Sequence, residues 1–242
     1  MNATYTRFEL LRLLRNKRSF IFSLIFPLAL YLVIAGSNKD AEVQGISFRT
    51  FYMVSMASYG AMIAATSGGA RIAAERAVGW TRQLRITPLS VHEYFRTKVL
   101  TAYLMAIVSI LLLYVAGVLY GVRLDSIGRW LGMTGLLIVG LLPFVALGIA
   151  VGHLLTIDLM GPAVGGGTAF FGFLGGQWFP LPEHGVLHAI GECIPSYWLT
   201  QASHFGLGAP AWGVQGWVVV GVWAVGTTLF AAWAYRRDTQ RV

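Results

Sequence analysis

The chain has 242 residues, of which 56% are hydrophobic and only 12% are charged. Ordinary soluble domains carry roughly 25% charged residues, so the composition argues against a soluble protein, and the mean hydropathy of +0.66 favours a membrane protein. The formal net charge of +8 would suggest a nucleic-acid partner in a soluble domain, an interpretation that has to compete with the membrane one. With one cysteine, Cys193, the chain has no intramolecular disulfide and no paired-cysteine zinc or redox motif.

Six stretches of about 20 residues lack Asp, Glu, Lys and Arg, and this is the length that a helix needs to cross a bilayer. The predicted membrane spans are residues 19–37, 50–70, 99–122, 130–156, 159–180 and 211–235. Pro143 is expected to kink the long fourth span. A secretory signal is an alternative for the first stretch, whose apolar run exceeds the roughly 7–15 residues usual in such signals. We therefore predict an all-α integral membrane protein with a single transmembrane domain over residues 1–242.

Residues 4–18 precede the first span and have an amphipathic pattern. Glu9, Arg12 and Asn16 share one side of a helix, and leucines occupy the rest. This pattern is typical of a helix that lies at the membrane surface with its basic side chains near lipid headgroups. A frayed basic tail is the alternative.

The basic residues are distributed unevenly between the two sides of the predicted topology. Fourteen of the 18 Lys and Arg residues lie in the N-terminal segment, in the connection from residue 71 to residue 98, or in the C-terminal tail. Since cytoplasmic segments carry the positive excess, these three segments and both termini are predicted to be cytoplasmic in a multi-pass protein of the cell membrane. The net charge is then mainly an orientation signal, and we expect no nucleic-acid partner.

The predicted spans indicate where the energy for any transport must come from. An ion-coupled transporter usually needs an ionisable group at membrane depth, and no predicted span contains Asp, Glu, Lys or Arg. The phosphate-binding pattern G-x-x-x-x-G-K-[ST] is also missing, because none of the three lysines follows a glycine. If the chain moves a substrate uphill, the energy must be supplied by another protein.

The connection between the second and third spans is too polar for the membrane and too short for a domain. Residues 71–85 are predicted to be helical, and Thr87-Pro88 ends this helix because the residue before proline avoids the helical conformation. Ser90 and Glu93 form a capping box, so the third membrane helix is predicted to begin near Val91 and to run to about Val122. Its first turns would then stand in the cytosol, where a rigidly attached short helix could transmit a push.

The same connection contains a recognisable motif made of Glu75, Arg76, Gly79, Gln83, Leu84, Arg85, Thr87, Pro88, Leu89, Ser90, Tyr94 and Lys98. This motif resembles the cytoplasmic loop of the type-2 (ABC-2) permeases of ATP-binding-cassette exporters. In that family the segment is a coupling helix that docks on a cassette ATPase. The resemblance therefore implies that residues 71–90 form an ATPase-coupling segment. Its candidate coupling residues are Glu75, Arg76, Gly79, Arg82, Arg85, Pro88, Leu89 and Ser90.

A second similarity lies in and beside the external segment, residues 181–200. Phe179-Pro180-Leu181-Pro182, and Ile194-Pro195 before Ser196-Tyr197-Trp198, are similar to the family's pattern of prolines around short re-entrant helices between spans five and six. The candidate residues for an external gate are Pro180, Pro182 and Pro195.

The resemblance implies a permease subunit that pairs with a second permease copy, identical or different, and with separate cassette ATPase subunits. ATP and magnesium would bind in the partner ATPase, so this chain is expected to hold no cofactor and no catalytic residue. The implied substrate is a hydrophobic or amphipathic molecule, such as a drug, antibiotic, lipid or peptide. It would be exported by ATP-driven alternating access.

Three residues of the external segment allow a different function. His184, His188 and Glu192 recur every four residues, which is a spacing that can hold zinc on one face of a helix. A metal-dependent enzyme in or on the membrane is therefore the alternative hypothesis, although the wet face of a short interfacial helix explains the same pattern. An assembly scaffold without a transport path is a third hypothesis.

Pairs of glycines four residues apart occur repeatedly in the predicted spans. Such pairs let helices approach closely, and packing within the chain is their expected use. The pairs are Gly117 and Gly121, Gly148 and Gly152, Gly161 and Gly165, and Gly172 and Gly176.

Overall fold

The computed structural model of the chain describes residues 8–9, 17–38, 41–43, 45–80, 83, 90–182 and 184–240, with the backbone alone for 17–22, 239 and 240. This part of the chain is largely helical. Its helices are α1 (Lys17–Ser37), α2 (Phe48–Thr66), α3 (Gly68–Ala77), α4 (Val91–Leu119), α5 (Ile127–Gly140), α6 (Leu142–Leu154), α7 (Ile157–Leu174), α8 (Val186–Glu192), α9 (Pro195–His204) and α10 (Val214–Gln240). A short antiparallel hairpin, β1 (Glu42–Val43) and β2 (Ile46–Ser47), joins α1 to α2.

Four segments of the described chain are long and apolar enough to cross a membrane: 91–119, 127–154, 157–174 and 214–238. They correspond to α4, to α5 and α6 together, to α7, and to α10. These segments agree with the predicted third to sixth spans and confirm an all-α membrane protein. The first two predicted spans also form helices, α1 and α2, and their passage through the membrane stays a prediction.

Helix α2 lies at the centre of the structure. Every residue from Phe51 to Thr66 is buried, under contacts from α1, α4, α6, α7 and α9. The helix is rich in Ala, Ser, Gly and Met, and these small or flexible side chains let neighbouring helices come close. A helix enclosed by other helices needs no lipid-facing surface of Leu, Ile and Val, which explains why α2 contains only Val54 and Ile63 of these residue types.

Helix α4 begins at the predicted residue. The Oγ of Ser90 accepts the backbone N–H of Glu93 at 3.3 Å, and the Glu93 carboxylate accepts the N–H of Ser90 at 3.4 Å. The 29 residues of α4 extend about 43 Å at 1.5 Å per residue, against a hydrocarbon core of about 30 Å. One end of α4 can therefore stand outside the membrane and carry polar residues.

The fourth predicted span is interrupted at Leu141, between α5 and α6. Pro143 follows two residues later and lacks the N–H that a continuous helix requires. The interruption agrees with the kink that Pro143 predicts.

Helix α7 is shorter than its predicted span, because it ends at Leu174 and not at Pro180. Gly176 adopts the left-handed conformation with φ of 72°, which turns the chain away from the helix axis. The hydroxyl of Thr200 in α9 donates to the carbonyl of Gly175 at 2.7 Å and holds this turn against the external segment.

Candidate functional site

The candidate site is built around the first residues of the coupling segment, where α3 packs against the polar end of α4. The ammonium of Lys98 lies 2.6 and 2.8 Å from the two carboxylate oxygens of Glu75 and 2.9 Å from Oε1 of Glu9. All three side chains are buried, with exposed fractions of 2%, 6% and 3%. Lys98 thus joins α3, α4 and the N-terminal segment. We refer to Lys98, Glu75 and Glu9 as the lysine node.

A second cation offsets the charge of the lysine node. The buried guanidinium of Arg71 interacts electrostatically with both carboxylates and donates to Oγ1 of Thr101 at 3.4 Å. Burial raises the pKa of the Glu75 carboxyl, and the charge of Lys98 opposes this effect. Burial likewise lowers the pKa of Arg71, while Glu9 and Glu75 oppose the change. Two cations and two carboxylates therefore share one buried volume, an arrangement that is stable only while all its members are present.

Arg76, the next residue of α3, makes a different set of contacts. Its Nε donates to Oδ1 of Asp238 in α10 at 2.8 Å. Its Nη1 donates to the carbonyls of Gly152 and Leu155 at 3.2 and 3.0 Å, where α6 ends and leaves backbone carbonyls without helical partners. Asp238 also pairs with Nδ1 of His153 at 3.0 Å. We refer to Arg76, Asp238 and His153 as the arginine clamp, and it joins α3 to α6 and α10.

Aromatic rings surround the buried His153. The ring centroids of Tyr94, Phe95 and Tyr235 lie 6.3, 6.3 and 5.3 Å from that of His153. They come from α4 and α10 and shield the clamp from water, which strengthens its charged contacts. The lysine node and the arginine clamp together attach α3 to α4, α6 and α10, which belong to three of the membrane-crossing segments.

The structure describes only some of the remaining residues of the coupling segment. The continuous helix predicted over residues 71–85 is wrong at one point, because α3 ends at Ala77 and Gly79 has a left-handed φ of 70°. Ser90 caps α4 as predicted. Arg82, Arg85, Pro88 and Leu89 lie outside the described residues, and their coupling role stays a prediction.

Glu9 was expected on the polar face of a surface helix. Its carboxylate instead points into the protein and pairs with Lys98, whereas the neighbouring Phe8 is exposed. Most of the predicted helix over residues 4–18, including Arg12 and Asn16, lies outside the described residues.

The external segment contains the two short helices α8 and α9 between α7 and α10. Pro195 is the first residue of α9 and is buried, whereas Pro180 and Pro182 are exposed in the preceding loop. The indole of Trp198 donates to the carbonyl of Glu192 at 2.9 Å, and that of Trp212 to the carbonyl of Trp198 at 2.9 Å. The first bond joins α8 to α9, and the second joins α9 to the chain just before α10.

Among the described residues, the possible metal ligands of this segment do not come together into a binding site. His188 and Glu192 pair at 3.4 Å along α8, and His184 is exposed in the loop before it. Among the residues that the structure describes, no group of three His, Cys, Asp or Glu side chains could hold a metal ion. The geometry therefore gives the metal-dependent alternative no support.

The glycine pairs have two different surroundings. A Cβ added at Gly148 or Gly152 would lie 2.5 Å from the backbone oxygen of Thr66 or Gly69, so these glycines allow α6 to touch α2 and α3. No described atom lies within 4 Å of the positions that Cβ atoms would take at Gly161 and Gly165 in α7. Packing within the described chain accounts for Gly148 and Gly152 and leaves open space beside Gly161 and Gly165.

The sequence did not reveal the partners of the coupling residues. Tyr94, Lys98 and Thr101 lie on the same side of α4, and all three are buried. A lysine that shares a helix face with buried residues is a weak sequence signal of a buried ion pair. Asp238 gave no comparable signal, because it follows two arginines in a tail that the charge pattern assigned to solvent.

The comparison with known proteins agrees with this architecture. The sequence model of the ABC-2 family transporter proteins matches residues 37–234. The chain is also 30% identical over 209 residues to "Putative transport permease YvfS" of Bacillus subtilis (strain 168), an alignment that covers 83% of this chain and 80% of the relative. No solved structure matches the chain. The chain therefore belongs to the ABC-2 family of transporter permeases and is a multi-pass membrane protein.

Proposed function

We propose that this chain is the permease subunit of an ATP-binding-cassette exporter. It pairs with a second permease chain and with separate cassette ATPases, which bind ATP and magnesium. The complex exports a hydrophobic or amphipathic molecule, such as a drug, antibiotic, lipid or peptide, by alternating exposure of a path between the two permease chains. Family membership supports a transport subunit rather than an enzyme.

The observation that carries this proposal is the attachment of α3 by two sets of buried or half-buried contacts. The lysine node connects α3 to α4, and the arginine clamp connects it to α6 and α10. A surface loop that only linked two spans would not need such attachments. The arrangement suits a segment that receives a displacement from an ATPase and moves several membrane helices together.

The direct test measures partner binding and coupling in the complete transporter. The permease is co-expressed with a cassette ATPase encoded beside it, purified through a tag on the permease, and reconstituted in liposomes. We expect the ATPase to co-purify with the wild-type chain, and Arg85→Glu to reduce its recovery. Arg123→Glu, a matched reversal on the opposite side of the predicted topology, is the control. Equal recovery of the ATPase with both variants would contradict docking at the coupling segment.

Coupling is tested separately with Arg76→Gln, which removes the charge of the arginine clamp but keeps a long polar side chain. We expect ATP hydrolysis to continue and substrate-stimulated hydrolysis to be lost, because α3 would no longer move α6 and α10. Thermal unfolding of the purified variant checks that the fold is retained. Unchanged substrate stimulation in a folded Arg76→Gln variant would refute the coupling role of the clamp.

The glycine pair of α7, which has open space beside it, supports a site for the second permease chain. Gly161 and Gly165 leave a shallow surface against which another helix can pack closely. In a Cys193→Ser background, Gly165→Cys is expected to cross-link two copies in the membrane. Gly221→Cys in α10, a position with equally open surroundings, is the control. If the partner is a different chain, the cross-link requires a cysteine introduced at the facing position of that chain. Equal cross-linking at both positions would contradict the assignment.

A further inference from the structure

A groove opens between α4, α6 and α10 on the outer side of the helical bundle. Its deeper part is a cavity of about 240 Å³ with almost entirely apolar walls. The cavity is lined by Phe95, Val99, Val145, Ile149, Thr228 and Ala231, among others. The small side chains of α10 at this level leave the space between the three helices unfilled.

A second cavity of about 360 Å³ continues the groove toward the end of α10. Phe95 and Ala232 line both cavities, so the two meet at these residues. The walls of the second cavity include the polar side chains of His92, Tyr235 and Arg236. The groove thus passes from an apolar interior to a polar mouth over the nine residues from Thr228 to Arg236, a rise of about 12 Å along α10.

Several features place this mouth at the level of lipid headgroups. The outward residues of α10 are exposed and apolar up to Leu229, as expected for a surface in contact with acyl chains. Trp233 follows and is 46% exposed, and the guanidinium of Arg237 lies 5.3 Å from its ring centroid. Exposed tryptophans next to arginines are typical of the membrane interface. The deeper cavity therefore lies within the hydrocarbon core, and the mouth lies at its boundary.

The mouth carries an excess of positive charge. Arg96, Arg236 and Arg237 are exposed around it, together with His92. Among the described residues, two acidic side chains also lie nearby, Asp238 in the arginine clamp and Glu93 in the cap of α4. The three arginines therefore still give the described residues of the mouth a net positive charge. An arginine at the membrane surface binds phosphate through directed hydrogen bonds, and each basic residue there attracts anionic lipid by about 1 kcal/mol.

We propose that this groove is a binding site for an anionic phospholipid, with an acyl chain in the cavity beside Val145 and the phosphate at Arg236. Charge complementarity at the mouth selects the anionic headgroup, and the apolar walls accept the chain. The site lies on the periphery of the bundle, and the proposal does not depend on the transport activity or on an ATPase partner.

The test uses the full-length chain purified in detergent and incubated with equal amounts of phosphatidylglycerol and phosphatidylcholine of identical acyl chains. Native mass spectrometry counts the lipids retained. We expect phosphatidylglycerol to be preferred, and Arg236→Gln to reduce the preference about fivefold, the equivalent of about 1 kcal/mol. The control for charge is Arg123→Gln, an exposed arginine in the loop between α4 and α5. A preference that survives Arg236→Gln unchanged would overturn the proposal.

Filling the groove gives an independent result. The Ala232→Trp side chain would occupy the point where the cavities meet. We expect this variant to retain both lipids only at the level of the detergent background. Val222→Trp, on an exposed turn of the same helix, is expected to retain lipid as the wild type does. If Ala232→Trp unfolds, Thr228→Leu fills the deep end instead. Equal lipid retention in the filled variant and in Val222→Trp overturns the proposal, as does displacement of the lipid by excess inorganic phosphate.

Discussion

The ammonium group of Lys98 is held between two carboxylates that come from distant parts of the chain. Removing one member of a buried ion pair leaves the other charged and without compensation, whereas neutralising all members together is often tolerated. A single substitution in the lysine node is therefore expected to be costly.

Lys98→Met is expected to lower the free energy of unfolding by about 3–5 kcal/mol, because Glu9 and Glu75 would remain buried without their shared cation. Denaturant unfolding of the purified protein measures the change. The double variant Glu9→Gln, Lys98→Met is expected to recover most of the loss, because it leaves one buried cation, Arg71, beside one buried carboxylate, Glu75. Arg123→Met, at an exposed arginine, is the control, and a Lys98→Met variant as stable as this control would contradict the prediction.

His204, the last residue of α9, gives the stability of the protein a dependence on pH. Its ring packs 5.2 Å from that of Phe51, and burial lowers the pKa of the imidazole from 6.5 to about 4. A depressed pKa in the folded state means that the neutral ring stabilises the fold fully above pH 6.5. This contribution is lost as the pH falls through about 4, since the unfolded chain accepts the proton more readily.

We therefore expect the unfolding temperature of the wild type to fall as the pH is lowered from 6.5 to 4. The unfolding temperature of His204→Phe is expected to fall less over the same range. Comparing the two proteins removes the contribution of carboxylates that titrate in this interval. His92→Phe, which replaces an exposed histidine, should follow the wild type. If His204→Phe has the same pH dependence as the wild type, protonation of His204 is not responsible.

At the scale of helices, the closest approach is between α6 and the pair α2 and α3. Gly148 and Gly152 touch the backbone at Thr66 and Gly69, so no side chain fits between these helices. Gly→Ala substitutions usually favour a helix, but here the added methyl group would have to push two backbones apart. The cost of overpacking a core is typically about 1–3 kcal/mol.

Gly152→Ala is accordingly expected to destabilise the protein by about 1–3 kcal/mol and to lower the yield of folded chain. Gly226→Ala in α10 is the control, because no described atom lies within 4 Å of its added methyl group. Thermal unfolding in detergent and size-exclusion profiles measure both effects. Similar stability of the two variants would show that the α6 contact can relax.

At the scale of the whole molecule, the positive residues predict that both termini and the coupling segment face the cytoplasm. Reporter fusions after residues 40, 91 and 206 test this orientation. The fusions at 40 and 206 are expected to report an external location and the fusion at 91 a cytoplasmic one. An external signal at 91 would place the coupling segment on the wrong side for an ATPase and would refute the proposed function.

The sequence by itself determined the properties that depend on neighbouring residues. Apolar length predicted α4, the segment of α5 and α6, α7 and α10, and the Ser90 box predicted the first residue of α4, because hydropathy and capping act over a few positions. The family resemblance likewise came from a contiguous motif, and the match over residues 37–234 confirms it.

Only the tertiary structure decided which polar groups meet. Lys98 and Glu9 are 89 positions apart, and Arg76 and Asp238 are 162 apart. No local pattern specifies such a pair, since each contact exists only after the helices have packed. The same holds for α2, whose modest hydropathy is explained by its enclosure, and for the glycines, which have identical spacing in α6 and α7 but different surroundings. The net charge of +8 thus indicated an orientation, while packing determined that Lys98 and Arg71 are buried beside carboxylates.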